Sequence, residues 1–386
     1  MRPKILYIFG GEKAQGAEIV IERMMYYNRH NLDIHLFISP GQFADKLIAD
    51  EKPYRISRLP RLRKLNRSSA TGLRFYLRAI GNYLSLSRQV YRYIKKNDIK
   101  IIHANTVVPA SYLIPLIIYA KLFLKDRKWL WSDHDIRYFS SLDTFLSRYC
   151  VSLFDHTLVV SNAVKKKYPQ NDKIIVLYNG LDPAVYKPDL VARKIFRRSH
   201  QFADDLVILG MPAVVTPRKG QLELINAVDE LRTRFPRMVL LLAGGFEEAT
   251  PEYTADVLKA INSSKVTEHI GFVKDMCSFY NGCDIIVNNS DKEGSEPLGT
   301  TIYEAMSCGK VVVASETGGT PEIITDRRDG LLFAADNQRA LVDVLSQVLS
   351  QMSSFERLKS AAIEKVKSKF NIRLMMEQYD RLIFEK

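Results

Sequence analysis

The sequence lacks a run of 18 or more uninterrupted apolar residues, although hydrophobic residues fill 46% of its 386 positions. Because a helix that crosses a bilayer needs about 20 such residues, the sequence predicts no transmembrane helix. The most apolar stretch, residues 112–124, contains Lys121 and has the length of a buried helix. Residues 1–11 lead into a glycine turn, so we expect a first β-strand there and not a signal peptide.

Cysteine is scarce as well. The four cysteines include no Cys-x-x-Cys pair and no cysteine–histidine cluster with zinc-binding spacing. The pattern therefore argues against a disulfide framework and against a structural zinc site. We expect free, mostly buried thiols in a reducing compartment, and hence a cytoplasmic protein.

Acidic residues are missing from residues 52–97, which contain thirteen lysines and arginines. The rest of the chain has 43 basic and 43 acidic residues, so the net charge of +13 is local. Arg74, Arg78 and Arg88 are interleaved with aromatic and aliphatic residues, which predicts a basic, partly amphipathic helix. An anionic acceptor, a membrane surface, nucleic acid or a solvated helix face would each explain this charge. We favour docking to anionic lipid, because no recognised nucleic-acid motif accompanies it.

Short apolar runs alternate with helical patterns along both halves of the chain, which predicts βαβ units with parallel strands. The alternation stops at residues 179–188, where glycine and two prolines mark a linker. We therefore predict an α/β protein with two Rossmann-like, doubly wound domains that face each other across a cleft. The first domain is expected at 1–185 and the second at 186–368, with a C-terminal helix at 369–386 that returns to the first domain.

The segment from Glu296 to Glu304 carries two carboxylates eight residues apart, with Gly299 and two threonines between them. We predict that a helix begins near Thr300, where unpaired backbone N–H groups and the helix dipole favour a phosphate. Gly299 has no side chain, so an anion can approach the backbone closely. Glu304 lies one turn inside the helix and is predicted to accept hydrogen bonds from a ribose diol. Glu296 precedes the helix and is predicted to bind sugar hydroxyls.

The same residues also allow a structural interpretation. Thr301-x-x-Glu304 matches a capping box, in which the glutamate only satisfies the start of the helix. The full spacing from Glu296, placed after the apolar run 285–288, favours the binding interpretation.

With this element, the sequence resembles the family 4 retaining glycosyltransferases of the GT-B fold over nearly the whole chain. The resemblance is strongest over residues 206–333 and weakest over residues 54–93. Seven further segments occur in the order of the family: Gly16-Ala17-Glu18, Ile101-Ile102-His103-Ala104, Asp133-His134-Asp135, Val159-Val160-Ser161, Asn179-Gly180-Leu181-Asp182, Pro217-Arg218-Lys219-Gly220 and Gly318-Gly319-Thr320-Pro321-Glu322.

The resemblance implies transfer of a sugar from a nucleotide diphosphate sugar to an acceptor, with retention of configuration. It places Lys219 against the donor diphosphate, His134 near the transferred sugar, and the backbone at Gly16 opposite the donor; His103 has a weaker claim to a role. The implied catalytic residues are Glu296, His134 and Lys219, and the implied donor-binding residues are Glu304, Lys219, Arg218, Gly16, Leu298, Gly299 and Thr300. The family usually has an arginine five residues before the lysine, where this sequence has Val214.

Two metal or nucleotide motifs are matched only in part. Asp133-His134-Asp135 has the Asp-x-Asp form of a metal site in another glycosyltransferase fold. In the family that this sequence resembles, a helix terminus and a lysine hold the diphosphate, so neither a metal nor a cofactor is expected. The loop from Gly11 to Gly16 has P-loop spacing but continues with Ala17-Glu18 where a P-loop has Lys-Ser or Lys-Thr, and it is not a Gly-x-Gly-x-x-Gly loop.

The expected partners are a nucleotide sugar, a glycan or lipid-linked acceptor, and an anionic membrane surface contacted through residues 52–97, with no nucleic acid. The expected setting is surface polysaccharide, lipopolysaccharide or glycolipid synthesis, with the protein peripheral on the inner face of the membrane. The alternatives are a non-catalytic protein of the same fold, a protein of that fold that binds nucleic acid or another anionic polymer, and another enzyme of that fold such as a sugar-nucleotide epimerase or a phosphorylase. The segment from Glu296 to Glu304 argues against the epimerase and against the phosphorylase.

Overall fold

The computed structural model describes residues 2–12, 16–59, 73–124, 126–138, 140–293 and 296–384. The chain divides into two compact units, Met1–Leu177 with Met375–Lys386, and Tyr178–Leu374. The boundaries expected from the sequence are at 185 and 368. Part of the basic segment, residues 60–72, and the side chains of Arg74 and Arg78 lie outside the described residues.

In the described part of the first unit, seven parallel strands form one sheet in the order β3-β2-β1-β4-β5-β6-β7. The strands are β1 (Lys4–Phe9), β2 (Asp33–Ile38), β3 (Arg55–Arg58), β4 (Ile101–Asn105), β5 (Lys128–Asp133), β6 (His156–Val159) and β7 (Ile174–Val176). The helices are α1 (Gly16–Asn28), α2 (Gln42–Ala49), α3 (Leu73–Asn97), α4 (Val107–Tyr112), α5 (Ile114–Phe123), α6 (Ser141–Leu153) and α7 (Asn162–Lys165). The inner strands are buried along almost their whole length, as expected of parallel strands with helices on both faces.

In the described part of the second unit, six parallel strands form a sheet in the order β10-β9-β8-β11-β12-β13. The strands are β8 (Val207–Pro212), β9 (Met238–Ala243), β10 (Thr267–Gly271), β11 (Ile285–Asn288), β12 (Val311–Glu316) and β13 (Leu331–Ala334). The helices are α8 (Leu190–Ser199), α9 (Gln221–Leu231), α10 (Pro251–Ser263), α11 (Met276–Gly282), α12 (Thr300–Ser307), α13 (Thr320–Ile323), α14 (Gln338–Ser350) and α15 (Glu356–Lys369). The last helix, α16 (Ile372–Phe384), begins in this unit, and from Met375 onward it belongs to the first unit. Leu224 of α9, Leu240 of β9 and Leu345 of α14 belong to one buried apolar cluster.

Both sheets are doubly wound, so the predicted α/β class with two Rossmann-like sheets is confirmed. The strand order reverses between β1 and β4 in the first unit and between β8 and β11 in the second. At such a switch point the loops that follow neighbouring strands diverge, and the crevice between them is where ligands bind in open parallel sheets.

The prediction of one long buried helix near residues 110–124 is wrong in two respects. The structure has two helices, α4 and α5, which meet at Leu113 with Pro115 in the first turn of α5. Proline is compatible with a helix start but not with the interior of one long helix. The end of α5 is also not buried, since Leu122 is 67% exposed and Phe123 is 65% exposed. No helix among the described residues combines the length and apolar character needed to cross a bilayer.

Helix α16 packs against the first sheet with the part that belongs to the first unit. The hydroxyl of Tyr379 lies 2.7 Å from Nδ1 of His103 and 3.3 Å from the hydroxyl of Tyr7. Asn28 donates a 3.3 Å hydrogen bond to Asp380. Aromatic and polar contacts therefore hold the C-terminal helix against β1, β4 and α1.

Candidate active site

A tight turn after β8 begins the candidate site of the second unit. Pro217–Lys219 forms a single 3-10 turn that ends at Gly220, whose φ of 67° is in the left-handed region. A Cβ atom at Gly220 would meet Nδ2 of Asn289 at 2.5 Å. In the native sequence that amide donates a 2.8 Å hydrogen bond to the Gly220 carbonyl. Gly220 thus allows the turn to dock on the residues that follow β11, across the switch point of the sheet.

This docking brings Lys219 to Glu296. The ammonium of Lys219 lies 2.5 Å from Oε2 of Glu296 and donates a 3.3 Å hydrogen bond to the hydroxyl of Ser290. Ser290 and Asn288 also donate to Oε2 of Glu296, at 3.1 and 3.3 Å, and the Gly299 amide donates to Oε1 at 2.8 Å. The Glu296 carboxylate is therefore buried but held by charge and by four donors.

These contacts decide the charge of Glu296. Burial alone would raise the pKa of this carboxyl, but the charge of Lys219 and the hydrogen bonds from Lys219, Asn288 and Gly299 outweigh burial and lower it. Glu296 is therefore ionised at neutral pH and forms an ion pair with Lys219.

Helix α12 begins at Thr300, as predicted. Its N-cap is Gly299, with φ 46° and ψ 66°, and within the described part of the chain no side chain caps the helix. The capping-box interpretation is wrong, because Thr301 lies inside the first turn and is not the cap. The amide of Ile302 makes the first turn bond, to the Gly299 carbonyl at 3.0 Å. The amides of Thr300 and Thr301 precede this bond and have no partner within the helix, which suits an anion.

The loop at Gly318 and Gly319 packs against the residues that directly precede α12. The Gly319 amide donates to the Glu296 carbonyl at 2.9 Å, and a Cβ atom at Gly319 would meet the Pro297 carbonyl oxygen at 2.3 Å. The loop after β12 therefore packs directly on the loop that precedes α12. Leu298, only 2% exposed, anchors that loop in the core.

Glu304 lies one turn inside α12 and is 8% exposed. Its Oε2 accepts a 3.0 Å hydrogen bond from the hydroxyl of Tyr280 in α11. Burial and the charge of Glu304 raise the pKa of Tyr280 well above its ordinary value, so Tyr280 remains a donor. Tyr280 thus holds one oxygen of Glu304 in place at the start of the helix.

Two polar residues lie at the carboxyl edge of the first sheet. Asn105 is the last residue of β4, and His134 directly follows β5. Nε2 of His134 lies 2.9 Å from Oδ1 of Asn105. Because that oxygen can only accept, Nε2 carries the proton and Nδ1 is the acceptor. The amide nitrogen Nδ2 of Asn105 is buried and has no hydrogen-bond partner among the residues that the structure describes.

The His134 ring is neutral at physiological pH. Burial lowers its pKa to about 4, with an opposing effect of Asp133 and a further lowering by Lys167. The pair therefore offers a ligand one acceptor, at Nδ1 of His134, and one donor, at Nδ2 of Asn105. A hydroxyl group can use both functions.

The carboxylate of Asp133, the first aspartate of Asp133-His134-Asp135, is bound by neighbouring side chains of the protein. Asp133 is 1% exposed, lies 2.5 Å from the ammonium of Lys167, and accepts a hydrogen bond from the hydroxyl of Tyr168. Lys167 also donates to the carbonyl of Asp135 at 2.5 Å. The buried ion pair fixes the loop that carries His134.

His103 is placed differently from His134. It is fully buried, and its ring nitrogens lie 2.7 Å from the hydroxyls of Tyr379 and Ser132. Burial lowers the pKa of His103 to about 3. Both nitrogens are engaged, so His103 orders the strand ends and the C-terminal helix.

The remaining predicted residues flank these groups. Gly16 is the exposed first residue of α1, in the loop that follows β1. Arg218 is exposed in the turn beside Lys219, and its carbonyl accepts from the Asp291 amide at 3.1 Å. Val214 is 38% exposed on the same loop. The structure thus brings together Lys219, Glu296, Leu298, Gly299 and Thr300, while Gly16 and His134 belong to the first unit.

Sequence reasoning missed the residues that hold these side chains. Asn288 and Ser290 bind Glu296, Tyr280 binds Glu304, and Asn105 binds His134. Three of these four residues could have been identified from the sequence. Asn105, Asn288 and Ser290 are polar residues that stand at the end of an apolar strand or just after it. Polar residues at the carboxyl edge of a parallel sheet are candidates for a site.

Two family models match the chain. The model described as Glycosyltransferase Family 4 matches residues 23–185, and the model described as Glycosyl transferases group 1 matches residues 192–365. Together they cover most of both units.

The chain spans about half the length of each of two curated relatives that it matches. A GDP-mannose-dependent alpha-(1-6)-phosphatidylinositol monomannoside mannosyltransferase of Mycolicibacterium smegmatis is 28% identical over 54% of this chain and 52% of the relative. A D-inositol 3-phosphate glycosyltransferase of Stackebrandtia nassauensis is 26% identical over 50% of this chain and 44% of the relative.

Solved structures show the same fold over the whole chain. HepE of Anabaena in complex with UDP has a TM-score of 0.81 at 20% identity, and the match covers 98% of each chain. WaaG, a glycosyltransferase involved in lipopolysaccharide biosynthesis, has a TM-score of 0.71 at 13% identity, and the match covers 100% of each chain. With both family models in place and this fold, the chain belongs to glycosyltransferase family 4 and has the GT-B fold.

Proposed function

We propose that the protein transfers a sugar from a nucleotide diphosphate sugar to a hydroxyl of an acceptor. The observation that carries the proposal is the site at the switch point of the second sheet. There Lys219, the buried carboxylate of Glu296 and the first amides of α12 converge. Such a site offers a cation and unpaired N–H groups to a diphosphate, and a fixed carboxylate to sugar hydroxyls.

The relatives support this class of donor. HepE was crystallised with UDP, with UDP and glucose, and with UDP-glucose. The mannosyltransferase of M. smegmatis is GDP-mannose-dependent by name. Both donors are nucleoside diphosphate sugars with different bases, so the diphosphate is the shared feature that the site would recognise.

In the proposed complex, the diphosphate replaces Glu296 as the main partner of Lys219 and lies on the amides of Thr300 and Thr301. Glu304, held by Tyr280, accepts hydrogen bonds from the ribose hydroxyls. Gly16 and Arg218 are proposed as further donor contacts. The Glu296 carboxylate, released from Lys219, then accepts hydrogen bonds from the hydroxyls of the sugar. Ser290, Asn288 and the Gly299 amide continue to hold this carboxylate in place.

We propose that the transfer retains the configuration at the anomeric carbon. The bond between the anomeric carbon and the diphosphate oxygen breaks with oxocarbenium character, and the acceptor oxygen bonds to the same face of the sugar. The proton of the acceptor hydroxyl passes to the departing phosphate oxygen. Stabilising that leaving group is an electrostatic task for Lys219 and the helix amides, so no metal is required in the proposed step.

The contacts of Glu296 favour positioning over nucleophilic attack. Lys219, Ser290 and Asn288 all bind Oε2, and the Gly299 amide binds Oε1. These four donors stabilise its negative charge and reduce its nucleophilicity. His134 is proposed to accept a hydrogen bond from a sugar hydroxyl through Nδ1, since its Nε2 is committed to Asn105.

The proposed acceptor is a glycan or a lipid-linked glycan in the assembly of a surface polysaccharide, lipopolysaccharide or glycolipid. The names of a relative and of a protein with the same fold support this setting. One acts on a phosphatidylinositol monomannoside, and WaaG takes part in lipopolysaccharide biosynthesis.

A thermal-shift screen tests the donor class. UDP, GDP and their common sugar conjugates are added to the purified protein, with UMP, GMP and ATP as controls. The proposal predicts that at least one diphosphate raises the melting temperature and that its monophosphate does so much less. Incubation of the best donor with an acceptor should then release the nucleoside diphosphate. Stabilisation by monophosphates as strong as that by diphosphates would contradict the proposal.

A further inference from the structure

We propose that helices α3 and α5 of the first unit form a surface that binds an anionic phospholipid bilayer, with the end of α5 inserted among the lipids. The surface consists of Arg88, Arg92, Lys95 and Lys96 of α3 and Ile118, Tyr119, Lys121, Leu122 and Phe123 of α5, and we call it the α3–α5 surface. The inference does not depend on glycosyl transfer.

The apolar part of this surface lies on one side of α5. Ile118 and Tyr119 are each 43% exposed, Leu122 is 67% exposed and Phe123 is 65% exposed. Ile118 and Leu122 are four residues apart, as are Tyr119 and Phe123, so each pair shares a face of the helix. The rings of Tyr119 and Phe123 lie 4.7 Å apart. Contiguous exposed apolar surface of this kind marks an interaction site in a protein.

The cationic part lies on the adjacent helix. Tyr91 of α3 packs edge-to-face on Tyr119 of α5, with ring centroids 5.4 Å apart, so the two helices are neighbours. Arg88, Arg92, Lys95 and Lys96 are all exposed on α3. The ammonium of Lys95 lies 5.8 Å from the ring centroid of Tyr91. The cations of α3 therefore stand beside the exposed end of α5.

The segment of the sequence that contains this surface has almost only basic residues among its charged ones. From Lys52 to Lys125 the sequence has sixteen lysines and arginines and one acidic residue, Asp98. In the structure Asp98 and the next acidic residue, Asp126, are both paired with Lys100 and Arg127. The acidic residues nearest to this surface in sequence are thus already paired with basic residues outside it.

An anionic bilayer is the partner that uses both halves of this surface. Lipid headgroups attract lysine and arginine, and the acyl region accepts leucine, isoleucine and phenylalanine. A nucleic acid would leave the aliphatic side chains of Ile118 and Leu122 without a partner. Because α5 has only 10 residues, it is too short to cross a bilayer and would lie in the interface.

Vesicle flotation tests the inference with the full-length protein and no sugar nucleotide. The probes are vesicles of phosphatidylcholine alone and vesicles of equal parts phosphatidylcholine and phosphatidylglycerol. We expect binding to the anionic vesicles to exceed binding to the neutral ones by about tenfold or more. Raised salt should weaken it, since salt screens charges beyond roughly 8–10 Å.

Paired variants separate insertion from simple attraction of charge. Leu122→Ser with Phe123→Ser should reduce partitioning to anionic vesicles by roughly 10–100-fold, since two large apolar side chains are removed. The matched control is Leu190→Ser with Phe272→Ser, two residues that are 76% and 84% exposed in the second unit. This control should bind like the unmodified protein.

Arg92→Gln with Lys96→Gln should reduce binding by about 10–30-fold, because each surface charge contributes about fivefold. Its control is Lys194→Gln with Lys259→Gln, two exposed lysines of the second unit. Thermal unfolding confirms that each variant is folded, and all substituted residues are exposed.

Equal binding to neutral and anionic vesicles would overturn the inference. So would loss of binding in the charge variant with no loss in the Leu122 and Phe123 variant, because binding would then be electrostatic adsorption without insertion. Neither result bears on donor use, which the thermal-shift screen measures separately.

Discussion

The carboxyl ends of the two sheets carry different chemistry at comparable places. In the second sheet, the loops after β8 and β11 place Lys219 and Glu296 2.5 Å apart as a buried ion pair. In the first sheet, β4 ends in Asn105 and β5 is followed by His134, which form a neutral hydrogen-bonded pair at 2.9 Å. Contacts to donors lower the pKa of Glu296 and keep it charged, whereas burial lowers the pKa of His134 and keeps it neutral.

Under the proposed function, this difference lets one topology serve two kinds of recognition. A full charge with a helix terminus suits a diphosphate, and a neutral donor–acceptor pair suits a hydroxyl. If the comparison is right, substitutions in the second unit should change nucleotide binding. Those in the first unit should change use of the sugar and leave binding of the nucleoside diphosphate unchanged.

The largest effect is expected for Lys219→Met. The variant removes the only side-chain cation that contacts Glu296 in the described residues, and with it the proposed partner of the diphosphate. We expect kcat/KM to fall by roughly 10²–10³-fold, as for the loss of one preorganised electrostatic contact. The melting temperature should fall as well, because a buried carboxylate loses its cation.

A second substitution separates these two losses. Adding Glu296→Gln to Lys219→Met removes the unpaired charge, so the melting temperature should recover while activity does not. Lys274→Met, at an exposed lysine of the same unit, is the control. Normal kinetics in Lys219→Met together with a large loss of thermal stability would make Lys219 a structural residue only.

A smaller effect is expected for Glu304→Gln. The amide oxygen still accepts from Tyr280, but the charge that strengthens hydrogen bonds to ribose is lost. Donor affinity should weaken by about 10–100-fold, which corresponds to about 1–3 kcal/mol. Isothermal titration with the nucleoside diphosphate measures this, with Glu252→Gln as the control. Unchanged affinity would remove the ribose role of Glu304.

Asn105→Ala tests the neutral pair of the first unit. It removes the acceptor that fixes the proton on Nε2 of His134 and the unpaired donor Nδ2. We expect kcat/KM to fall by about tenfold, the value of one or two neutral hydrogen bonds. Affinity for the nucleoside diphosphate alone should not change. Asn31→Ala, on an exposed loop of the same unit, is the control, and an equal loss of nucleotide affinity in Asn105→Ala would break the comparison.

The smallest effect concerns pH. With a pKa of about 4, His134 should stay neutral through the range where an ordinary histidine titrates, so activity should show no limb near pH 6.5 from this group. A histidine with a lowered pKa makes the folded state less stable as pH falls from its unfolded value toward the folded one. The stability that the neutral His134 ring gives the folded state should therefore be lost as pH falls from about 6.5 to about 4. NMR titration of the ring checks this, and a pKa near 6.5 would contradict the neutral assignment.

Much of the fold follows from local sequence signals. β1 lies within residues 1–11, where a first strand is expected, and β11 coincides with the apolar run 285–288, because each is an apolar run between turn residues or charges. The start of α12 at Thr300 was predictable because Gly299 interrupts the chain directly before a helical pattern. The helix near residues 110–124 was predicted incorrectly, because an apolar pattern does not show whether another element covers it.

The site was less accessible to sequence reasoning because its contacts are distant along the chain. Lys219 and Glu296 are 77 residues apart, and their pairing depends on how the turn after β8 docks on β11. His103 and His134 both stand at strand ends, and only the structure shows that Tyr379, 276 residues after His103, occupies that ring. Residue type identified the candidates, and packing between distant elements separates His103 from His134.

The most direct measurement is a crystal structure of the protein with a nucleoside diphosphate sugar. The account predicts diphosphate oxygens within hydrogen-bond distance of the Lys219 ammonium and of the Thr300 amide, with the ribose hydroxyls on Glu304. A bound nucleotide whose diphosphate lies elsewhere, with Lys219 still paired to Glu296 and the start of α12 unoccupied, would contradict it.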